Sequence, residues 1–149
     1  MEKNSIFKID GLSKNIVQIE YEAQNRNCFK IETSINNKIS LMAIYYGEKM
    51  LFIKTVKIEI ENETYFSEYI PNNSIAHNMG LTEIGIKECL SLDQQTENGL
   101  IEKIARNFDK TIMVTFIGEL GQCQFTLEHS DKMNIRNIYY SLICKENKQ

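Results

Sequence analysis

Phe29-Lys30-Ile31-Glu32-Thr33-Ser34-Ile35, then Asn36-Asn37, then Ile39-Ser40-Leu41-Met42-Ala43-Ile44-Tyr45-Tyr46 is the stretch that decides the fold class. Its first run alternates apolar and polar residues, the period of a half-buried strand. Asn36-Asn37 can adopt the positive φ that a tight hairpin turn demands. The last run is apolar at both parities, with Ile39, Leu41, Ala43 and Tyr45 against Met42, Ile44 and Tyr46. A strand covered on both faces has this pattern, so it is predicted to lie near the middle of a sheet.

Toward the N-terminus, Val17-Gln18-Ile19-Glu20-Tyr21-Glu22 alternates in the same way and predicts another strand. Toward the C-terminus, Gly47-Glu48-Lys49 turns the chain into Met50 to Ile60, where Val56, Ile58 and Ile60 oppose Lys57, Glu59 and Glu61. Glu61-Asn62-Glu63 turns it again into Thr64 to Ile70. Short connections of this kind join antiparallel neighbours, so residues 15–70 read as a meander of about five strands. Pro71 to Gly80 shows no period and reads as irregular. In Leu81 to Leu92, Ile84, Ile86 and Cys89 fit either a strand or a helix, and the alternation of Thr82, Ile84 and Ile86 with Glu83, Gly85 and Lys87 favours a strand.

The last third changes character. Leu100, Ile101, Ile104, Ala105 and Phe108 fall on one stripe of a helix between about Gln95 and Phe108. Thr111 to Ile117 is a strand, Gly118-Glu119-Leu120-Gly121 a turn, and Cys123, Phe125 and Leu127 mark the inner parity of a partner strand. Ser130 is placed to cap a final helix, with Asp131 favourable to its dipole and Ile135, Ile138, Tyr139 and Leu142 on its buried face. The prediction is one α+β domain spanning residues 1–149: a mostly antiparallel meander, then helix, hairpin and helix, with the helices packed on the sheet.

Composition narrows the chemistry. The net charge is −3, and the only arginines are Arg26, Arg106 and Arg136, which disfavours nucleic acid as a partner. No stretch approaches the roughly 20 apolar residues of a membrane-spanning helix. Met1 to Ile6 lacks a charged region followed by an apolar run, so the expected address is cytoplasmic, without membrane attachment. Cys28, Cys89, Cys123 and Cys144 are widely separated and are expected to be reduced, ordinary thiols.

The candidate chemical motifs each have a plainer explanation. Cys89, Cys123, His77 and His129 lack the close pairing of a zinc site, so neither metal nor other cofactor is expected. His129, between Glu128 and Asp131, could serve as a base for Cys123 or Ser130, but Cys123 shares the apolar parity of Phe125 and Leu127. Glu59, Glu61, Glu63 and Glu68 suit the solvated face of a sheet better than a glycosidase cleft. Gly118 and Gly121 bound a hairpin turn, with no helix N-terminus to receive a phosphate. No catalytic residue is assigned, and the chain is expected not to be an enzyme.

Tyr45-Tyr46-Gly47, Leu51-Phe52-Ile53 with the charged strand after it, a helix bearing Ile101, Ile104 and Ala105, Phe116-x-Gly118, and a last helix form a recurring order. In this the chain resembles uncharacterised small bacterial and phage-borne domains, some of them lipoproteins, over residues 38–143. It departs from them in having Thr115 where a basic residue often stands, and in lacking a lipobox. The resemblance implies the α+β fold and carries no known activity.

Adjacent aromatic pairs such as Tyr45-Tyr46 and Tyr65-Phe66 must point to opposite faces of a strand. Some tyrosines therefore reach the surface, where they favour protein interfaces. The expected function is a non-enzymatic protein-interaction domain, an accessory or inhibitor protein of a phage or mobile element. Its partner surface is placed at Tyr65, Tyr69 and His77, and a homodimer through an uncovered sheet edge is a further expectation. The alternative is a protein that binds a metabolite or nucleotide.

Overall fold

A computed structural model describes residues 26–71, 77–82 and 85–147. The expected strand at Val17 to Glu22 lies outside the described residues. Among the described residues, eight strands and two helices follow in the order β1 (Cys28–Thr33), β2 (Ile39–Gly47), β3 (Ile53–Ile60), β4 (Glu63–Phe66), β5 (His77–Thr82), β6 (Gly85–Leu92), α1 (Leu100–Arg106), β7 (Ile112–Gly118), β8 (Gln122–Thr126) and α2 (His129–Asn147). The fold is α+β and dominated by strand.

The deciding hairpin forms as its sequence dictates. β1 pairs antiparallel with β2, and Asn37 takes φ 62° in the connection. β2 is a central strand, flanked by β1 and β6. Leu41, Ala43 and Tyr45 face the core, while Ile44, 3% exposed, is covered on the opposite side.

The meander does not continue in one sheet. The strands form two antiparallel four-stranded sheets, ordered β1-β2-β6-β5 and β4-β3-β7-β8. The chain crosses between them at residues 48–52, where Phe52 adopts φ 53°. Period-two patterning specifies a strand and its buried face but not its neighbour in space, which explains the difference. The stretch read as irregular also contains a strand, β5, hydrogen-bonded to β6. Leu81 to Leu92 is thus the end of one strand and the whole of the next; of the connection between them, residues 83–84 lie outside the described residues.

The sheets face each other across one core. Phe29 of β1 meets Phe116 of β7 at 6.0 Å between ring centres, and Phe125 of β8 packs edge-on to Phe116 at 5.1 Å. Leu100, Ile101 and Ile104 of α1 and Ile135 of α2 belong to the same core. The helices therefore complete a core that both sheets share. α1 is shorter than the stripe suggested, because Asp93 Oδ1 accepts the N–H groups of Gln95 and Thr96 and holds residues 94–99 in turns. α2 starts at His129, with Lys132 N–H bonded to the Glu128 carbonyl, so Ser130 stands in the first turn and not at the cap.

Candidate functional site

The corner where β5, the 51–53 segment and the β7–β8 turn meet holds the most unusual polar arrangement among the described residues. Glu88 lies on the inner parity of β6 with Leu90 and Leu92, and is fully buried. A buried carboxylate persists only when hydrogen-bonded or paired. Glu88 meets this demand with four partners. Oε1 accepts the N–H of Leu51 and of Phe52, the latter at 3.0 Å, and Oε2 accepts that of Ile53 at 3.1 Å. His77 Nε2 lies 3.0 Å from Oε2.

The same segment is held from its other side. The carbonyls of Leu51 and Phe52 accept the N–H groups of Leu120 and Glu119, each at 3.1 Å. Gly118 permits this approach, since a Cβ there would stand 2.1 Å from the Leu51 carbonyl oxygen. The Phe52 ring stacks near the His77 imidazole, 6.3 Å between centres. Backbone polar groups of Leu51 and Phe52 are thus fully satisfied, which lets a non-repetitive segment sit against the core.

Several large apolar side chains are exposed on the elements that form this framework or adjoin it. Met79 and Leu81 share the inward parity of β5 with His77, yet are 38% and 89% exposed. Leu120 is 66% exposed at the tip of the neighbouring turn. Tyr69 is 67% exposed beneath Lys54, whose Nζ lies 5.7 Å from its ring centre and 3.6 Å from Glu119. Of the six large hydrophobic side chains exposed among the described residues, Met79 and Leu81 share the strand of His77, which meets Phe52, while Tyr69 lies against Lys54 and Leu120 follows its partner Glu119; Ile35 and Phe66 are the other two.

The three residues expected to meet a partner divide. Tyr69 is exposed at this corner. Tyr65 packs against the core, donates its hydroxyl to Glu63, and carries Lys103 Nζ 4.6 Å above its ring. His77 is turned inward to Glu88, its side chain only 4% exposed. Sequence reasoning missed Glu88, Met79, Leu81 and Leu120. The available signal was a single carboxylate, Glu88, on the apolar parity of Ile86, Leu90 and Leu92.

Among the described residues, the corner brings a histidine and a carboxylate together without a nucleophile. Cys89 follows Glu88 directly and so points to the opposite face of β6. Burial pushes the Cys28 thiol up to about 11, and it likewise raises those of Cys89 and Cys123. Reactive cysteines are displaced the other way. Cys123 accepts a hydrogen bond from Asn27 Nδ2 at 3.3 Å, and His129 stands exposed at the start of α2. Among the described residues no three His, Cys, Asp or Glu side chains gather as metal ligands, and no helix is long and apolar enough to cross a membrane.

A groove of about 510 Å³ lies on the other face of the β1-β2-β6 sheet, beneath α2. Cys28, Lys30, Ile44 and Tyr46 form its floor, and Asn134 and Ile138 of α2 overhang it. At its end Arg26 donates two hydrogen bonds of 2.9 Å to Asp131. No family model, curated protein or solved structure matches the chain.

Proposed function

We propose that this chain is a non-enzymatic protein-interaction domain, acting as an accessory or inhibitor protein of a phage or mobile element. The observation that carries the reading is the corner at Tyr69, Met79, Leu81 and Leu120, where exposed apolar side chains surround a framework pinned by Glu88. Interfaces draw their affinity from a few desolvated aromatic and apolar anchors, and rigid anchors lose little entropy on binding. The Lys54–Glu119 pair beside them supplies a polar rim.

The test is affinity capture from host extract with the wild-type chain, Leu120→Asp and Tyr69→Ala. A protein retained by the wild type and lost from Leu120→Asp is the expected result. Equal retention by all three chains, or none by any, overturns the reading.

A second reading, a small-ligand binder, draws on the groove beneath α2, whose volume falls in the range of ligand sites. A ligand at a hundred times its dissociation constant would add about 2.7 kcal/mol of stability. Thermal-shift screening with nucleotides and metabolites detects an effect of that size, and a flat screen removes this alternative.

A further inference from the structure

We infer that β5 is a self-pairing edge, joining β5 of a second copy in antiparallel register about a two-fold axis at Gly80; this rests on the corner being an interaction surface and names its partner. β5 has only β6 as a neighbour among the described residues, so alternate residues direct N–H and C=O groups outward. Proteins normally blunt such an edge with charge, proline or a bulge. His77-Asn78-Met79-Gly80-Leu81-Thr82 has no charged side chain that would repel its own copy, no proline, and an unbroken register with β6.

The other edges differ. β1 carries Lys30 and Glu32 and packs beside α2, and β4 is four residues long with Glu63. β8 is uncharged, but it turns Cys123 and Phe125 toward the core and exposes Gln122, Gln124 and Thr126. β4 also exposes Phe66 but carries Glu63, so among the described edges β5 alone combines exposed large apolar side chains with the absence of a charged residue.

Symmetry then selects the register. A two-fold axis normal to the sheet keeps each parity on its own face, and directly opposed residues in an antiparallel pair share a face. Opposed residue numbers must therefore add to an even sum. With Gly80 opposite Gly80, Met79 faces Leu81 of the second copy, and Asn78 faces Thr82. Every exposed apolar side chain of the strand then meets another. A shift one way would set Leu81 against His77, whose imidazole is committed to Glu88, and a shift the other way would set Leu81 against Leu81 but leave Met79 opposite no residue of β5. Space is open on the Gly80 face, with nothing within 4 Å of where a Cβ would stand. The product is one sheet of eight strands, four from each copy, with a continuous Met79–Leu81 stripe.

Sedimentation equilibrium of the full chain across a concentration series tests the pairing. The wild type is expected to approach twice the monomer mass, and Leu81→Lys to stay monomeric with an unchanged melting temperature at low concentration. Leu81 is exposed, so this variant leaves the core alone. In a Cys144→Ser background, mixing Met79→Cys with Leu81→Cys should give a heterodisulfide in preference to either homodisulfide. A wild type that stays monomeric at every concentration, a dimer that survives Leu81→Lys, or a preference for Met79→Cys homodisulfide overturns the inference. If the wild type stays monomeric while capture of another protein still depends on Leu120, self-pairing fails and the interaction-surface reading stands.

Discussion

The carboxylate of Glu88 on β6 accepts the N–H of Ile53 at 3.1 Å, tying one sheet to the first residue of β3 in the other. Leu51 and Phe52 give their N–H groups to the same side chain, and His77 completes the set. Glu88→Ala orphans these donors, and each buried donor without a partner costs about 1–3 kcal/mol. A loss of roughly 3 kcal/mol or more is expected, read as a fall in the urea midpoint. Glu88→Gln keeps one acceptor oxygen but turns an amide toward the remaining donors, so its loss should be large but smaller. A loss below 1 kcal/mol for Glu88→Ala would show that water replaces the carboxylate.

Glu61 takes φ 56° in the two-residue connection between Ile60 and Glu63. A left-handed conformation costs an ordinary L-residue about 1–2 kcal/mol, and hairpins with positive φ at the first turn position prefer glycine. Glu61 is exposed, and its 3.3 Å contact with Lys110 is a surface ion pair of little worth. Glu61→Gly should therefore stabilise the chain by about 0.5–1 kcal/mol after the entropy penalty of glycine in the unfolded state. Chemical denaturation with an unchanged slope is the measurement, and a destabilised variant would contradict the turn assignment.

Local patterning made the elements legible and left their pairing hidden. The doubly apolar run at Ile39 to Tyr46 announced a central strand, and Leu100, Ile101, Ile104 and Ala105 announced a buried helix stripe. Both follow from side-chain period alone. The split into two sheets depends on Glu88 reaching residues 51–53, a contact between positions more than thirty apart, which no period encodes. β5 escaped for a related reason: Met79 and Leu81 have inward parity without burial, and Gly80 interrupts the pattern. The corner was half legible, through Tyr69. Its other members are ordinary aliphatic residues whose exposure only the fold reveals.

Arg26 and Asp131 form a two-pronged pair with both contacts at 2.9 Å, and Asp131 is nearly covered. The hydrogen bonds to Asp131 hold the guanidinium even more firmly protonated than usual. Because the pair fixes the chain entering β1 to the first turn of α2, removing one partner should loosen both. Arg26→Ala is expected to cost roughly 1.5–3 kcal/mol, the range for hydrogen bonds to charged groups. A double-mutant cycle with Asp131→Asn separates the coupling from the loss of side-chain packing. Additive effects would mean that the two groups do not depend on each other.

Glu97 provides a pH test with a defined sign. It is buried between β6 and α1, and its Oε1 accepts the Ile101 N–H at 2.8 Å. Desolvation raises its carboxyl above the ordinary range, outweighing the backbone hydrogen bonds that pull it down. The folded state therefore holds this proton more tightly than the unfolded chain. Its contribution to stability is fully present below the unfolded-state value and is lost as pH rises through the folded-state value. Asp93 acts in the opposite sense, because its bonds from Thr96 and Gln95 lower it, so the whole-protein profile mixes the two. The difference between wild type and Glu97→Gln isolates Glu97. Denaturation midpoints should diverge in favour of Glu97→Gln as pH rises from about 4 to 7, since Gln keeps an acceptor oxygen without a charge to bury. A gap independent of pH would mean that Glu97 ionises in the folded chain as readily as in water, and that solvent reaches the start of α1.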